Sequence, residues 1–306
     1  IEGKVRGIRF GTASPARIVP GEDGYELLPT RIDVGSGSLR LAGRYGEGLR
    51  VQTRLDQLDV ALVNAFVPGL GLGGEASGSL DFAQRSPDAF PRADGRLRID
   101  DFSRSTAAAV SEPVDINFVG KLLADGGEAR LVARRRGAVI GRMIASLRPL
   151  GPGAGPWTER LLEAPLGGGV RYNGPAGTLF SFAGQPNQTL EGTIGVAADF
   201  AGQVDSPELA GIVRAQSLEY RNQIYGTRLS GIAVSARFDG SRLEIERLVA
   251  DAGQGSVSAS GFVSLSSQSG YPMDLAARLD NARLARSDTV SARATGELRL
   301  TKQAGE

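Results

Sequence analysis

The sequence contains no cysteine and no histidine among its 306 residues. Disulfides, thiol nucleophiles, histidine-based catalytic triads and zinc sites built from histidine and cysteine are therefore excluded within these residues. Because sites that need histidine or cysteine are excluded and the carboxylates are scattered, we predict that the chain is not an enzyme and binds no metal and no cofactor.

Aromatic residues and long apolar runs are also scarce. Phe, Trp and Tyr make up 6% of the sequence, and no run reaches the roughly 18 apolar residues of a transmembrane helix. The 35 basic and 34 acidic residues are scattered and leave a net charge of +1, which argues against a nucleic-acid-binding protein. The sequence begins at Ile1 without a signal peptide, so we expect it to be a piece of a longer chain.

Glycine is abundant, with 43 residues, and it separates short stretches in which apolar and polar residues alternate. The clearest stretch covers residues 230–265, where the runs SGIAVSARF, RLEIE and SVSASGFVSL are separated by Asp-Gly-Ser and Gly-Gln-Gly. Side chains alternate across a strand, so this stretch predicts an antiparallel meander with one apolar and one wet face. In the third run only Phe262 breaks the alternation.

The same alternation recurs through most of the chain. We predict one β-groove repeat segment over residues 1–148 and a second over residues 167–306 that continues the same array. A Pro/Gly linker and a short helix are predicted between them, over residues 149–166, because prolines bracket the run WTERLLEA. This helix is interpreted as a packed connector or, alternatively, as a plug over the apolar face.

A few other positions depart from simple alternation. The phase slips by one residue before Leu58, which predicts a bulge or the start of a helix. Residues 61–67, ahead of Pro68, are expected to form two helical turns. Phe180 and Phe182 fit the alternation and are predicted to lie in a strand.

A sheet with one apolar face must bury that face, and the chain has few helices to cover it. We therefore predict an all-β fold: an elongated, curled antiparallel sheet with an apolar concave face and a few short helices. If the curl closes tightly, the inward residues form a dry core, whereas an open curl leaves a trough for acyl chains. The residues predicted to line this groove are Leu39, Leu41, Val51, Leu55, Leu80, Phe82, Leu97, Ile99, Ile116, Phe118, Ile194, Val196, Phe200, Ile232, Val234, Phe238, Leu243, Ile245, Val257, Val263 and Leu265.

Loose internal repeats connect the two segments. GSGSLRLAG at residues 35–43 resembles GQGSVSASG at residues 253–261, and SLDFA at residues 79–83 resembles AADFA at residues 197–201. Repeats of meandering strands indicate an array that grows by stacking, with each unit burying its face against its neighbours.

Residues 190–265 resemble the carboxy-terminal region of the TamB family, the translocation and assembly module proteins among the AsmA-like periplasmic bridge proteins. The matching motifs are strand and turn patterns: VDSPELAG at residues 204–211, YGTRLSGI at 225–232, RLEI at 242–245 and GQGSVSASG at 253–261. Looser copies extend the likeness over most of the chain.

The resemblance implies a taco-like β-groove in the periplasm of a Gram-negative cell, anchored in the inner membrane by a segment outside this sequence. It further implies phospholipid acyl chains as ligands, phospholipid transport between the inner and outer membranes as the function, and an outer-membrane barrel protein of the TamA type as a partner.

Two other functions compete with lipid transport. A structural scaffold for outer-membrane protein assembly, with a TamA-like partner, would use exposed sheet edges and needs no groove. An enzyme on a β-solenoid would need converging carboxylates, but Asp33, Asp56, Asp59, Asp100 and Asp101 fall at strand ends or on the wet side of the alternation. We interpret these aspartates as solvated surface.

Overall fold

The computed structural model describes residues 2–5, 8–65, 70–87, 89–106, 110–148, 156–183, 187–265, 270–286 and 291–303. Strands account for 75% of the structure and helices for 6%, and the antiparallel sheet is not closed, so the predicted all-β fold with a few short helices is confirmed. The chain separates into two compact units. The first unit contains residues 1–167 and 203–205, and the second contains residues 168–202 and 206–306. The division predicted around 149–166 stays a prediction, and residues 149–155 lie outside the described residues.

Antiparallel strands build the first unit. They are β1 (Glu2–Val5), β2 (Ile8–Thr12), β3 (Ile18–Gly21), β4 (Gly24–Val34), β5 (Gly37–Tyr45), β6 (Leu49–Asp59), β7 (Leu72–Gln84), β8 (Arg92–Arg104), β9 (Val114–Leu123), β10 (Gly126–Arg135) and β11 (Ala138–Leu147). From β4 to β11 each strand pairs with the next one in the chain. β2 and β3 pair with different halves of β4, and β1 pairs with β2.

The second unit repeats the same plan. Its strands are β12 (Leu166–Pro175), β13 (Gln188–Gly202), β14 (Pro207–Asn222), β15 (Thr227–Gly240), β16 (Arg242–Ala252), β17 (Gly255–Ser264), β18 (Met273–Arg286) and β19 (Ser291–Lys302). Each of these strands also pairs with its successor. The second unit is therefore a meander in chain order, as is the first unit from β4 onward.

The helices are short. A 3-10 helix covers Val60–Ala65 and α1 covers Trp157–Leu162, both in the first unit, whereas α2 covers Ala176–Ser181 in the second. The phase slip before Leu58 corresponds both to a bulge, with Gln57 at φ 47°, and to the 3-10 helix that follows. Of the helix predicted over 61–67, residues 66–67 lie outside the described residues.

The strand predicted around Phe180 and Phe182 is wrong, because these residues belong to α2 and its carboxy-terminal cap. Pro175 precedes the helix with φ −60°, a value that the proline ring imposes and that suits entry into a helix. Tertiary contacts then hold this single helical turn in place. Ala176 is 1% exposed, and the Phe180 ring packs edge-on against the Tyr220 ring, with 6.4 Å between the ring centroids. Two apolar residues at spacing two are too few to distinguish a strand from one helical turn.

Bulges cross neighbouring strands at corresponding places. In the first unit the pairing register shifts near Gln57, Gly74 and Asp101 on the consecutive strands β6, β7 and β8, and each residue has a positive φ. In the second unit it shifts near Ser217 on β14 and Gly231 on β15. Because a bulge bends its strand and increases the local twist, such a line of bulges curls the sheet.

Candidate functional site

Cross-strand register places the predicted lining residues of the first unit on one face of the sheet. Residues directly opposite in antiparallel strands point to the same side. One row of consecutive partners runs Leu39, Leu55, Gly78, Leu97, Phe118, Leu131 and Met143. Adjacent rows on the same side contain Leu41, Val51, Leu80, Phe82, Ile99 and Ile116. We call this side of each unit its apolar face.

The second unit has an apolar face of the same kind. Three of its rows are Val196–Val213–Ala236–Ile245, Ile194–Ala215–Val234–Leu248 and Phe238–Leu243–Val263–Met273. Phe200 pairs with Leu209, Ile232 with Leu218 and Val257 with Ala250. Leu265 follows the end of β17 and is half-buried. Whether any of these residues touches a lipid stays a prediction.

The sequence analysis missed several residues of the apolar faces. They are Leu131, Met143, Tyr172, Val213, Leu275 and Leu300, each paired in register with a row described above. All of them lie in alternating runs, and continuing the alternation along each predicted strand would have found them.

The opposite side of each unit is wet and carries paired charges. Arg54 lies 3.0 Å from Asp81 and Arg171 lies 2.6 Å from Asp199, each between neighbouring strands. All four side chains are more than a third exposed, so each pair adds little stability. These pairs identify this side as the solvated one.

The resolved pKa shifts belong to this wet face. The hydrogen bond from Arg299 lowers the pKa of Asp274. Hydrogen bonding from Arg221, followed by the charge of Arg228, lowers the pKa of Glu219. The hydrogen bond to Glu244 raises the pKa of Arg237. Ion pairing explains these shifts without a catalytic role.

One aromatic side chain, Phe262, lies on the wet face, where it breaks the alternation. The Arg242 guanidinium stacks over the Phe262 ring, 4.7 Å from the ring centroid.

Among the residues that the structure describes, no three acidic side chains come together as a possible metal site.

The apolar face of the second unit closes on itself at one end. Ala215, Leu218, Ile232 and Ala250 form a buried cluster with Ala176 of α2, and Ile194 and Val234 pack against it. A second cluster of Ala252, Leu279 and Ala282 has Val257 at its margin. The Thr227 hydroxyl of β15 donates to the Leu284 carbonyl of β18, 2.5 Å away and three strands on. At this end the predicted groove is a dry core.

The other end of that face is less completely covered. Phe200, Phe238, Leu243 and Val263 are half-buried and belong to no buried cluster. Small side chains between them are buried nonetheless, with Ala198 and Ala236 both 3% exposed. Whether this end holds a ligand or packs as a dry core stays a prediction.

The first unit shows the same gradient. Ala76 and Val114 are buried near the line of bulges, where Asn64 of the 3-10 helix exchanges two hydrogen bonds with the Leu72 backbone. Toward the other end of the strands exposure rises, and Leu80 is 46% exposed. Its apolar face is therefore covered at one end and accessible at the other.

Helix α1 lies on the apolar face of the first unit. The Trp157 ring contacts the rings of Phe82 and Phe90, with centroids 6.3 Å and 6.5 Å away. Arg160 stacks on Phe90 at 5.7 Å. The segment is thus more than a connector, because it covers the face at Phe82.

The accessible surface area agrees with incomplete closure. The chain of 32.0 kDa exposes 18615 Å². Two compact bodies of half that mass would together expose roughly 15,000 Å². The excess is expected when the sheets leave part of their apolar faces accessible.

Comparison with protein-family models, with curated proteins and with solved structures gives no match. Within the described ranges no helix has the length and apolar character needed to cross a membrane.

Proposed function

We propose that the open part of each apolar face binds phospholipid acyl chains, and that the protein carries phospholipids between the inner and outer membranes of a Gram-negative cell. The observation that carries this proposal is the gradient of burial along the strands. Side chains that share one face are packed dry at one end and accessible at the other, which a simple closed core does not require.

The energetics fit an acyl-chain ligand. Each methylene removed from water contributes about 0.8 kcal/mol, so about ten methylenes contribute about 8 kcal/mol before the cost of ordering the chain. This attraction is not directional. Rows of Val, Leu and Phe are therefore sufficient, and no polar recognition motif is needed.

The resemblance to the TamB family supplies the proposed setting. We place the protein in the periplasm, held at the inner membrane by an anchor outside this segment, with an outer-membrane barrel of the TamA type as its partner. Phospholipids would then move along the apolar faces.

Photocrosslinking in cells tests the lipid contact. A photoreactive amino acid replaces Val263, on the open part of the second apolar face, or Ser260, on the same strand but exposed and on the wet face. We expect lipid adducts at Val263 and none at Ser260. The Ser260 variant controls for lipids that are merely nearby.

The other results count against the proposal. Adducts at neither position, in a protein that folds normally, would mean that the face is occupied by protein. Equal adducts at both positions would mean that the crosslinker samples the membrane environment and not a groove.

One observation favours the assembly scaffold as a second function. Among the described residues β19 pairs with β18 alone, and its apolar-face residues Leu298 and Leu300 are 57% and 58% exposed. An unpaired edge can accept a strand from a client protein. If Leu298→Lys with Leu300→Lys abolishes client assembly while lipid adducts at Val263 persist, the scaffold is the better account.

A further inference from the structure

Arginines are concentrated on the wet face of the first unit, where β5 and β6 pair. Arg40 lies directly opposite Arg54, and Arg44 lies directly opposite Arg50. All four residues are exposed. They alternate with the apolar-face residues of the same two strands, so their side chains point to the other side of the sheet. We call these four residues the arginine patch.

Both rows of the patch continue onto neighbouring strands. Arg31 of β4 lies opposite Arg40, so that three arginines are consecutive cross-strand partners. On the other side of the patch β7 contributes a small residue to each row, and β8 contributes a further arginine. These continuations are Arg54–Ser79–Arg96 and Arg50–Ala83–Arg92.

Carboxylates neutralise only some of these arginines. The ion pairs in the two rows are Arg31–Asp33 at 2.8 Å, Arg54–Asp81 at 3.0 Å, Arg44–Asp23 at 3.8 Å and Arg96–Asp94 at 3.8 Å. Glu26 of β4 also lies opposite Arg44. On β5 and β6 themselves the wet side carries a single carboxylate, Asp56, which lies beyond the patch.

Arg40 and Arg50 have no ion-pair partner within the described part of the chain. Arg40 lies between Arg31 and Arg54, and Arg50 lies opposite Arg44. Like charges in directly opposed positions destabilise a sheet. The two unpaired guanidinium groups would therefore gain most from an external anion, and the fork geometry of arginine suits a phosphate.

The surface between the two rows is made of small or polar side chains. Ala42 and Gln52 separate the arginines along the strands, and the rows are four residues or about 14 Å apart. On β5 to β8 no position in or between these rows is aromatic. Bases of a single-stranded nucleic acid would find no stacking platform, and a protein partner would find little apolar surface to bury. A layer of phosphate groups needs neither.

We infer that the arginine patch docks the first unit on a membrane surface rich in anionic phospholipids, with headgroup phosphates at Arg40 and Arg50. Each arginine close to such a surface strengthens binding about fivefold. The inference goes beyond the proposed function, because it concerns the face of the sheet that is turned away from the acyl chains.

Sedimentation with vesicles tests the docking. The protein is mixed with sucrose-loaded vesicles of phosphatidylcholine alone or of phosphatidylcholine with phosphatidylglycerol, and the bound fraction is measured after centrifugation. We expect binding to the vesicles that contain phosphatidylglycerol, and we expect it to decrease as salt is added, because salt screens exposed charges. Equal binding to both kinds of vesicle, or binding that salt does not change, would overturn the inference.

A matched pair of double variants locates the contact. Arg40→Gln with Arg50→Gln removes two charges from the patch and should lower the vesicle partition coefficient about thirtyfold. Arg214→Gln with Arg247→Gln removes two exposed wet-face arginines of the second unit, which are separated by Ser235. This control should bind almost as well as the wild type. Equal losses in the two double variants would mean that only total charge matters.

Lysine substitutions separate a charged layer from a discrete anion site. Arg40→Lys with Arg50→Lys keeps both charges and loses the guanidinium forks. We expect this variant to retain most of the vesicle binding. A loss as large as that of the glutamine variant would indicate one tightly coordinated phosphate and would overturn membrane docking.

Folding and nucleic-acid binding are measured on the same proteins. The glutamine variant of the patch should be as stable to denaturant as the wild type, because it removes repulsion between opposed charges. A marked loss of stability would mean that these arginines serve the fold. Binding of a duplex oligonucleotide without binding of vesicles would assign the patch to nucleic acid, and either result would overturn the inference.

The docking result is independent of the lipid contact proposed above. Crosslinking at Val263 reports on the apolar face of the second unit, whereas vesicle sedimentation reports on the wet face of the first. Lipid adducts at Val263 without vesicle binding would overturn docking alone, and vesicle binding without adducts would overturn the proposed function alone.

Discussion

Gly78 occupies the row Leu55–Gly78–Leu97 at the centre of the first apolar face. Its φ is 143°, and a Cβ at this position would lie 1.9 Å from the Arg96 carbonyl oxygen. Both the backbone conformation and the close approach of the neighbouring strand therefore exclude a side chain at this position. The missing side chain also leaves a gap between the two leucines.

Replacing this glycine should reveal the constraint. We expect Gly78→Ala to lower the free energy of unfolding by more than about 1 kcal/mol, because the new Cβ meets backbone that cannot move aside. Gly95→Ala is the control, since its Cβ would make ordinary contacts of 3.4 Å and 3.6 Å. Denaturant unfolding measures both, and equal effects would contradict the steric argument.

The ion pair between Asp274 and Arg299 gives a pH-dependent prediction. Hydrogen bonding lowers the pKa of Asp274 below its ordinary value of 3.8 in the folded state. A carboxyl with a depressed folded pKa stabilises the fold above its unfolded pKa, and this contribution disappears as pH falls through the folded pKa.

Asp274→Asn should therefore reduce the acid dependence of stability and should leave little difference from wild type at the lowest pH. A series of denaturant midpoints from neutral to acid pH measures this effect. The Arg299→Gln variant should also reduce the slope of the denaturant midpoint against pH. Parallel plots of midpoint against pH for wild type and Asp274→Asn would contradict the role of the pair.

The alternation of residues predicted which face each lining residue occupies, because side-chain direction in a strand depends on parity alone. It did not predict which of them are covered. Ile232 is 6% exposed, whereas Val263, on the same face, is only half-buried. That difference depends on how the sheet curls and on α2, and neither is encoded in a local pattern.

At the scale of elements, α2 is the part of the second unit that the sequence did not predict. Its six residues are too few to form a stable helix alone. Its position depends on Ala176 and Thr178, both 1% exposed, and on partners distant in sequence such as Tyr220. Tertiary contacts of this kind override the local alternation of Phe180 and Phe182.

A larger side chain at Ala176, where α2 packs into the buried cluster, should therefore destabilise the closed end of the second apolar face. We expect Ala176→Leu to cost about 1–3 kcal/mol of unfolding free energy, because the added methylenes have no space in the cluster. Leu179→Ala, on the outer side of α2 at 42% exposure, should change stability by less than about 0.5 kcal/mol. Thermal unfolding compares them, and a neutral Ala176→Leu would mean that α2 can move away.

At the scale of the whole molecule, lipid binding should stabilise the fold. A ligand that binds only folded protein adds about 2.7 kcal/mol at a hundred times its dissociation constant. We expect the unfolding temperature to rise with the concentration of a short-chain phosphatidylcholine, kept below its micelle-forming concentration. The double variant Val51→Glu with Val263→Glu should lose this rise. An equal rise in both proteins would indicate nonspecific stabilisation.

Pairing in chain order has a consequence for how the protein is made. From β4 to β11 and again from β12 to β19, each strand finds its partner in the segment that immediately precedes it. Such local pairing needs only short loops to close. A chain delivered gradually through a narrow pore can therefore fold as it emerges, with each new strand added to a finished edge and no need to wait for its distant end.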